Sequence, residues 1–211
     1  MQAADFLLSE RKSTMQFRHR IVQLIAPKLY EDYVKHSEWI HSVFAETPRP
    51  FTVFLKNRSF ERVFVGAEIG VASGDNALSI CEELNIRKLF LIDPYIPYSD
   101  GGVITQYVDS CNIAVRKLEK YKDKLEFIKL SSDEAVGKIS EELDFVYVDG
   151  NHSYEFVLND IEKYIQLLKP DGIIGGHDYW NLTGVPKAVN ESAKKLGWNL
   201  TVSLPDWWLK P

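Results

Sequence analysis

From residue 62 onward, short apolar runs alternate with segments of helical period, and this alternation constrains the fold more than any other feature of the chain. "RVFVGAEIGV" (62–71), "KLFLID" (88–93), "LEFIKL" (125–130), "LDFVYVDG" (143–150) and "DGIIGGHDY" (171–179) are apolar over most of their length. Runs of this kind form strands buried on both faces. Between them, "DNALSICEEL" sets Ala77, Leu78, Cys81 and Leu84 at helical spacing. "SYEFVLNDIEKYIQLLK" puts Tyr154, Val157, Leu158, Ile161, Tyr164, Ile165 and Leu168 on one stripe. Further helices fit about 104–121, the short stretch "DEAVGKI" and "VPKAVNESAKKLG". The pattern predicts an α/β fold, a doubly wound, mostly parallel sheet with helices on both faces. "NLTVSL" and "WWLK", turned at "PD", predict a C-terminal antiparallel hairpin at or near an edge, with Trp207 and Trp208 as its packing.

Ahead of the sheet, residues 15–46 carry a helical pattern through Phe17, Ile21, Leu24, Ile25, Leu29, Tyr33, Trp39, Ile40, Val43 and Phe44. Pro27 divides or kinks it, and "TPRP" at 47–50 ends it. We expect an N-terminal helical cap over 1–50 and a main domain over 51–211. The cap has no catalytic signature, and its helices are the expected surface for a homo-oligomer. The chain opens with an apolar stretch too short for a signal peptide, and nothing approaches the ~20 apolar residues that cross a bilayer. We expect a cytoplasmic protein with no membrane partner. The net charge of −5 argues against nucleic acid as a partner, since phosphate binding relies on Lys and Arg. Cys81 and Cys111 match no metal spacing and no disulfide framework, which fits a reducing compartment.

In doubly wound sheets, ligands bind beyond the carboxyl ends of the strands, where strand order reverses. The informative residues fall there. Along the first strand and into the turn after it stand Gly66, Glu68, Gly70 and Gly74. Gly70 and Gly74 let the backbone turn tightly beside a ligand, and the helix that follows offers free N–H groups. The spacing is neither the dinucleotide fingerprint nor a P-loop. Asp93 closes the second strand, 19 residues after Gly74. A carboxylate there can accept both hydroxyls of a ribose. Turn and acid together point to a nucleoside ligand. Tyr95, Tyr98, Tyr179 and Trp180 lie on the adjoining rim loops, where they could stack on a base or shape an acceptor pocket.

"AEIGVASGDNA" followed by "LFLIDPY" resembles the first two motifs of the class I S-adenosylmethionine-dependent methyltransferases. The block "LDFVYVDGNHSYEFVLNDIEKYIQLLKPDGIIGGHDYW" looks like the small-molecule O-methyltransferases related to the catechol and macrolide-sugar enzymes, the family 24 type. The resemblance spans about 60–211 and implies a Rossmann-like fold with S-adenosylmethionine as cofactor. It implies Glu68, Gly70, Ala72 and Gly74 beside the methionine half, Asp93 at the ribose and Ser132 and Asp133 at the adenine. Asp149 would lie near the sulfonium and the acceptor, a hydroxyl on a small molecule such as a sugar or phenol.

Asp149 and His152 follow the fourth strand, and His177 and Asp178 the fifth, so four ionisable groups should meet at one rim. Two readings stand. Asp149, His177 and Asp178 bind a divalent cation and His152 is the general base, or a histidine works without metal. The metal-dependent relatives carry Asp followed by Asp or Asn where this chain has His177 and Asp178. An imidazole there suits Mn²⁺, Fe²⁺ or Zn²⁺ better than Mg²⁺. Two other classes remain: an NAD- or other nucleotide-dependent enzyme, which the glycine spacing disfavours, and a non-catalytic cofactor-binding module.

Overall fold

A computed structural model describes residues 46–58, 61–100, 103–105, 109–179 and 184–211. The helical pattern of 15–46 and Trp180 lie outside the described residues. Residues 46–211 form one unit. Its elements are α1 (Pro50–Arg58), β1 (Phe64–Ile69), α2 (Asp75–Glu83), β2 (Ile86–Ile92), β3 (Tyr98–Asp100), β4 (Val103–Thr105) and α3 (Ser110–Lys117). There follow β5 (Leu125–Ile128), α4 (Ser132–Ala135), β6 (Leu143–Val148), α5 (Tyr154–Tyr164), β7 (Leu168–Gly176), α6 (Val185–Leu196), β8 (Asn199–Ser203) and β9 (Asp206–Lys210). Among the described residues no helix is long and apolar enough to cross a membrane.

Seven strands make one sheet in the order β5-β2-β1-β6-β7-β9-β8. The first five are parallel, and β9 runs antiparallel to both β7 and β8. Strand order reverses between β1 and β6. The mostly parallel, doubly wound sheet is therefore the one the alternation predicts. The hairpin is also as expected, although the strand it places against β7 is its second one, and β8 becomes the edge.

Side-chain alternation divides the core in two. Val65, Ala67 and Ile69 of β1 face α5 and α6, packing with Val157, Ile161, Tyr164, Ala188 and Val189. The opposite face packs Phe145 and Tyr147 of β6 against Phe51, Leu55, Ala77 and Ile80 of α1 and α2. All six residues of β1 and of β6 are buried, which is why they read as apolar apart from Glu68 and Asp144. Gly66 belongs to this packing and not to a turn, because a Cβ there would lie 2.2 Å from the Phe145 ring.

Two segments depart from expectation. "TPRP" does not lead directly into loop: Pro50 opens α1, and proline suits a first helical position because its missing N–H has no partner there anyway. Phe51 of α1 then sits 5.7 Å from Tyr147 and 6.1 Å from Trp208, ring centre to ring centre. The helix expected over 104–121 is shorter. Residues 103–105, rich in β-branched side chains, pair with 98–100 as a small hairpin. Asp109 takes a left-handed backbone (φ 63), so helix begins only at Ser110. Past Lys117 the chain tightens into a 3-10 turn over Glu119–Lys124.

Candidate active site

Register brings the strand ends to one level. Ile69 pairs with Ile92 and with Val148, Ile92 with Ile128, and Val148 with Gly176. The next residue of four of these strands is therefore Gly70, Asp93, Asp149 and His177. At Gly70 (φ 85) a Cβ would lie 2.0 Å from the Asp149 carbonyl oxygen, so β1 and β6 can leave the sheet side by side only with glycine here. Asp93 braces the turn that follows. Its Oδ2 accepts from the N–H groups of Val71 (3.0 Å) and Ala72 (2.9 Å), and its Oδ1 accepts from the Tyr95 N–H (2.7 Å). Ala72 and Tyr95 are themselves left-handed (φ 46 and 53). Strain of that kind persists where surrounding bonds over-determine the backbone.

Two members of the motif face protein. Gly74 (φ 77) starts α2, and its Cβ direction meets Ala114 and Leu118 at 3.2 Å. Glu68 is 1% exposed beneath the turn, where Oε1 accepts from Asn76 Nδ2 at 3.1 Å and Oε2 has no partner among the described residues. Burial pushes its carboxyl up to about 8, the Asn76 bond opposing.

A cleft of about 220 Å³ opens beyond β1, β2 and β5. Gly70, Asp93 and Pro94 line one side, Ser131 and Ser132 the end, and Gly150, Phe156 and Asp160 the other. Ser131 caps α4 through a reciprocal box with Glu134, which fixes the loop after β5. Ser132 is thus at the cleft, as the resemblance implies. Asp133 points elsewhere: it is half-exposed, and its Oδ1 accepts from Asn159 Nδ2 and Lys163 Nζ, both at 2.5 Å.

The four groups after β6 and β7 do meet. Asp178 Oδ2 lies 2.9 Å from His152 Nε2 and 3.2 Å from His177 Nδ1. Asp149 Oδ1 lies 3.6 Å and 3.5 Å from the same two nitrogens. Asp178 reaches this position through a left-handed backbone (φ 56). Burial alone would raise its pKa, but the hydrogen bonds of His152 and then His177 outweigh it and hold the carboxyl well below the usual range. Three ligand atoms, one each from Asp149, His152 and Asp178, fall within 4.8 Å of one another. His177 Nδ1 lies about as near both carboxylates as His152 Nε2 does, so either histidine can complete a set with Asp149 and Asp178. Two carboxylates and an imidazole suit a borderline divalent ion better than Mg²⁺.

Sequence reasoning missed three supports. Trp207 is fully buried, and its Nε1–H donates to the His177 carbonyl at 3.1 Å. Asp206 accepts from the Phe51 N–H and the Tyr147 hydroxyl, each at 2.9 Å, tying α1 and β6 to β9. Arg49 is half-buried; burial works against its charge, but the carboxylates of Asp149, Asp206 and Asp178 favour the guanidinium. Its signal was one arginine in "TPRP", beside a turn read only as a terminator.

A seven-stranded sheet of this order, with its second-last strand reversed and a glycine turn facing an acid across the switch point, is the fold of class I S-adenosylmethionine-dependent methyltransferases. Residues 67–179, more than half of the chain, match the family described as a methyltransferase domain, and the chain belongs to that family. The O-methyltransferase NovP has 13% identity and a TM-score of 0.56, covering 70% of this chain and 71% of its own. A Podospora anserina methyltransferase solved with S-adenosylhomocysteine has 15% identity and a TM-score of 0.54, covering 84% and 86%. An uncharacterized protein of Acanthamoeba polyphaga mimivirus is 25% identical over 126 residues, 58% of this chain and 54% of its own length. The chain thus spans about half the length of that curated relative. Other proteins of the same fold are described as an rRNA methylase and a precorrin methyltransferase, so the fold does not select the acceptor.

Proposed function

We propose that this methyltransferase carries a methyl group from S-adenosylmethionine to a hydroxyl of a small molecule, with His152 as general base. The observation that carries the proposal is the 2.9 Å approach of Asp178 Oδ2 to His152 Nε2 at the rim of the cofactor cleft. An Nε2–H turned toward Asp178 would leave Nδ1 as the basic atom, and the nearby carboxylate would stabilise the imidazolium that forms. The acceptor oxygen attacks the methyl carbon, the C–O bond forms as the C–S bond breaks, and the hydroxyl proton passes to His152. The products are a methyl ether and neutral S-adenosylhomocysteine. Alignment supplies several kcal/mol, ~7 or more in favourable cases, and the base about 10²–10⁴-fold. Asp93 accepts from the ribose hydroxyls through the lone pairs its backbone bonds leave open. Gly70 and Ala72 pass beside the methionine half, and Asp149 stands next to the sulfonium. The chain's net negative charge supports a small acceptor over a nucleic acid.

A second reading rests on the convergence of Asp149, His152 and Asp178. These residues would hold Mn²⁺, Fe²⁺ or Zn²⁺, which would supply Lewis acidity toward the acceptor oxygen. His152 would then be a ligand and not the base.

Transfer of isotopically labelled methyl to a panel of sugars and phenols tests both. The first reading expects turnover in the presence of a chelator, cut about 10²-fold or more by His152→Ala. Turnover that needs added Mn²⁺ or Zn²⁺ would favour the second. Transfer undiminished in His152→Ala would remove His152 from the reaction.

A further inference from the structure

The cofactor cleft contains a buried acid that no motif assigned. Asp160 lies on α5, one turn beyond Phe156, and is 3% exposed. It lines the cleft with Ile92, Pro94, Ile96, Ser132 and Phe156. The nearby Ser132 hydroxyl favours the ionised carboxyl, and Oδ1 has no partner among the described residues. A buried acceptor left open is costly and calls for a ligand or another specific cause. Around it the walls are apolar and uncovered: Ile96 is 59% exposed and Phe156 54%. Exposed apolar walls with one buried acceptor on the floor suit a flat heterocycle that carries an N–H donor on one edge.

We propose that Asp160 reads the base of the cofactor, its Oδ1 accepting from the exocyclic amine of adenine, in the place that the sequence pattern gives to Asp133. Asp133 accepts from Asn159 and Lys163 through Oδ1, is half-exposed and does not line the cleft, so it lacks the position. The inference rests on the proposed cofactor and goes beyond it to one residue and one functional group. A base with a carbonyl where adenine has its amine would place two acceptors face to face. Burial raises the Asp160 carboxyl to about 7, with Ser132 and Lys163 opposing and Asp133 adding to the rise, so the acceptor form prevails at pH 8.

The test is calorimetric titration, at pH 8 on the full chain, of S-adenosylhomocysteine and of its inosyl analogue. The wild type should prefer the adenosyl ligand by about 10- to 100-fold, the value of one hydrogen bond to a charged group. Asp160→Ala should reduce that preference to within about 3-fold, while Asp133→Ala should keep it. Asp160→Asn, which can turn either amide atom to the base, should narrow the preference and serves if the alanine variant does not fold. A wild-type preference retained by folded Asp160 variants would overturn the inference alone. A preference lost in Asp133→Ala would overturn it in favour of Asp133. Failure of the wild type to bind either ligand would overturn the cofactor assignment as well.

Discussion

Glu68 shows how one residue can be legible in position and not in depth. The spacing acid-x-Gly marks it, but spacing does not report depth, and the side chain is buried beneath the turn it was expected to line. Burial raises three carboxyls: Glu68 to about 8, Asp160 to about 7 and Asp206 to about 6. A carboxyl with a raised pKa binds more protons folded than unfolded between its ordinary and its raised value. The contribution of these three groups to stability therefore falls as pH climbs from about 4 toward 8 and is constant below that window. Glu68→Gln keeps an acceptor for Asn76 and removes the charge. It should raise stability at pH 8 by about 1–3 kcal/mol and change little at pH 4. Urea unfolding at the two pH values checks this, and equal effects at both would refute the assignment. Gly70 and Asp93 were legible because the constraints on them, a left-handed turn and a strand end, are local. Asp160 was not, since on its helix it reads as one more polar position.

At the scale of elements, what the sequence pattern revealed was period, and what it concealed was order. The hairpin was plain from "NLTVSL" and "WWLK", but local pattern carries no information on which of its strands meets β7. That order matters to the site, because only a strand beside β7 lets Trp207 reach the His177 carbonyl. Helix α1 was hidden by Pro48 before it and Pro50 at its start, and α3 was overextended because its first apolar residues belong to a β-hairpin. Trp207→Phe keeps most of the buried ring and deletes the donor. It should cost about 1–3 kcal/mol of stability, the price of leaving a buried carbonyl unpaired. It should also lower turnover by more than its effect on S-adenosylhomocysteine affinity, because His177 and Asp178 move while Asp93 does not. Unfolding curves and labelled-methyl rates on the same preparation separate the two. A variant with normal turnover would show that the strand supports the fold alone.

The whole molecule divides along its strands. At their amino ends Asp144 is buried and accepts from Val65 N–H (2.7 Å), Arg62 Nη2 (2.6 Å) and Lys169 Nζ (2.9 Å). Its role there is to hold β6 to β1 and β7, and no part of it faces the cleft. Asp144→Ala takes the acceptor from Lys169 and the Val65 N–H, while Arg62 keeps Asp171. It should cost about 3 kcal/mol or more of stability, as for other broken buried pairs, and leave the cofactor affinity of the folded protein unchanged. A large loss of affinity measured below the unfolding transition would contradict that separation. The fold class was legible because alternation of period is a global property that every strand and helix repeats. The acceptor was not, because the carboxyl ends of this sheet carry different chemistry in proteins of one fold.

The central claim is that the turn at Gly70 and the acid Asp93 receive an adenosyl sulfur cofactor. Calorimetric titration of S-adenosylhomocysteine into the wild type and into Asp93→Ala, each with and without Mg²⁺ or Mn²⁺, tests it most directly. The account predicts micromolar binding by the wild type and a loss of about 10-fold or more in the variant, whose ribose and turn bonds go together. Absence of binding by the wild type under every metal condition, or equal affinity in folded Asp93→Ala, would contradict it.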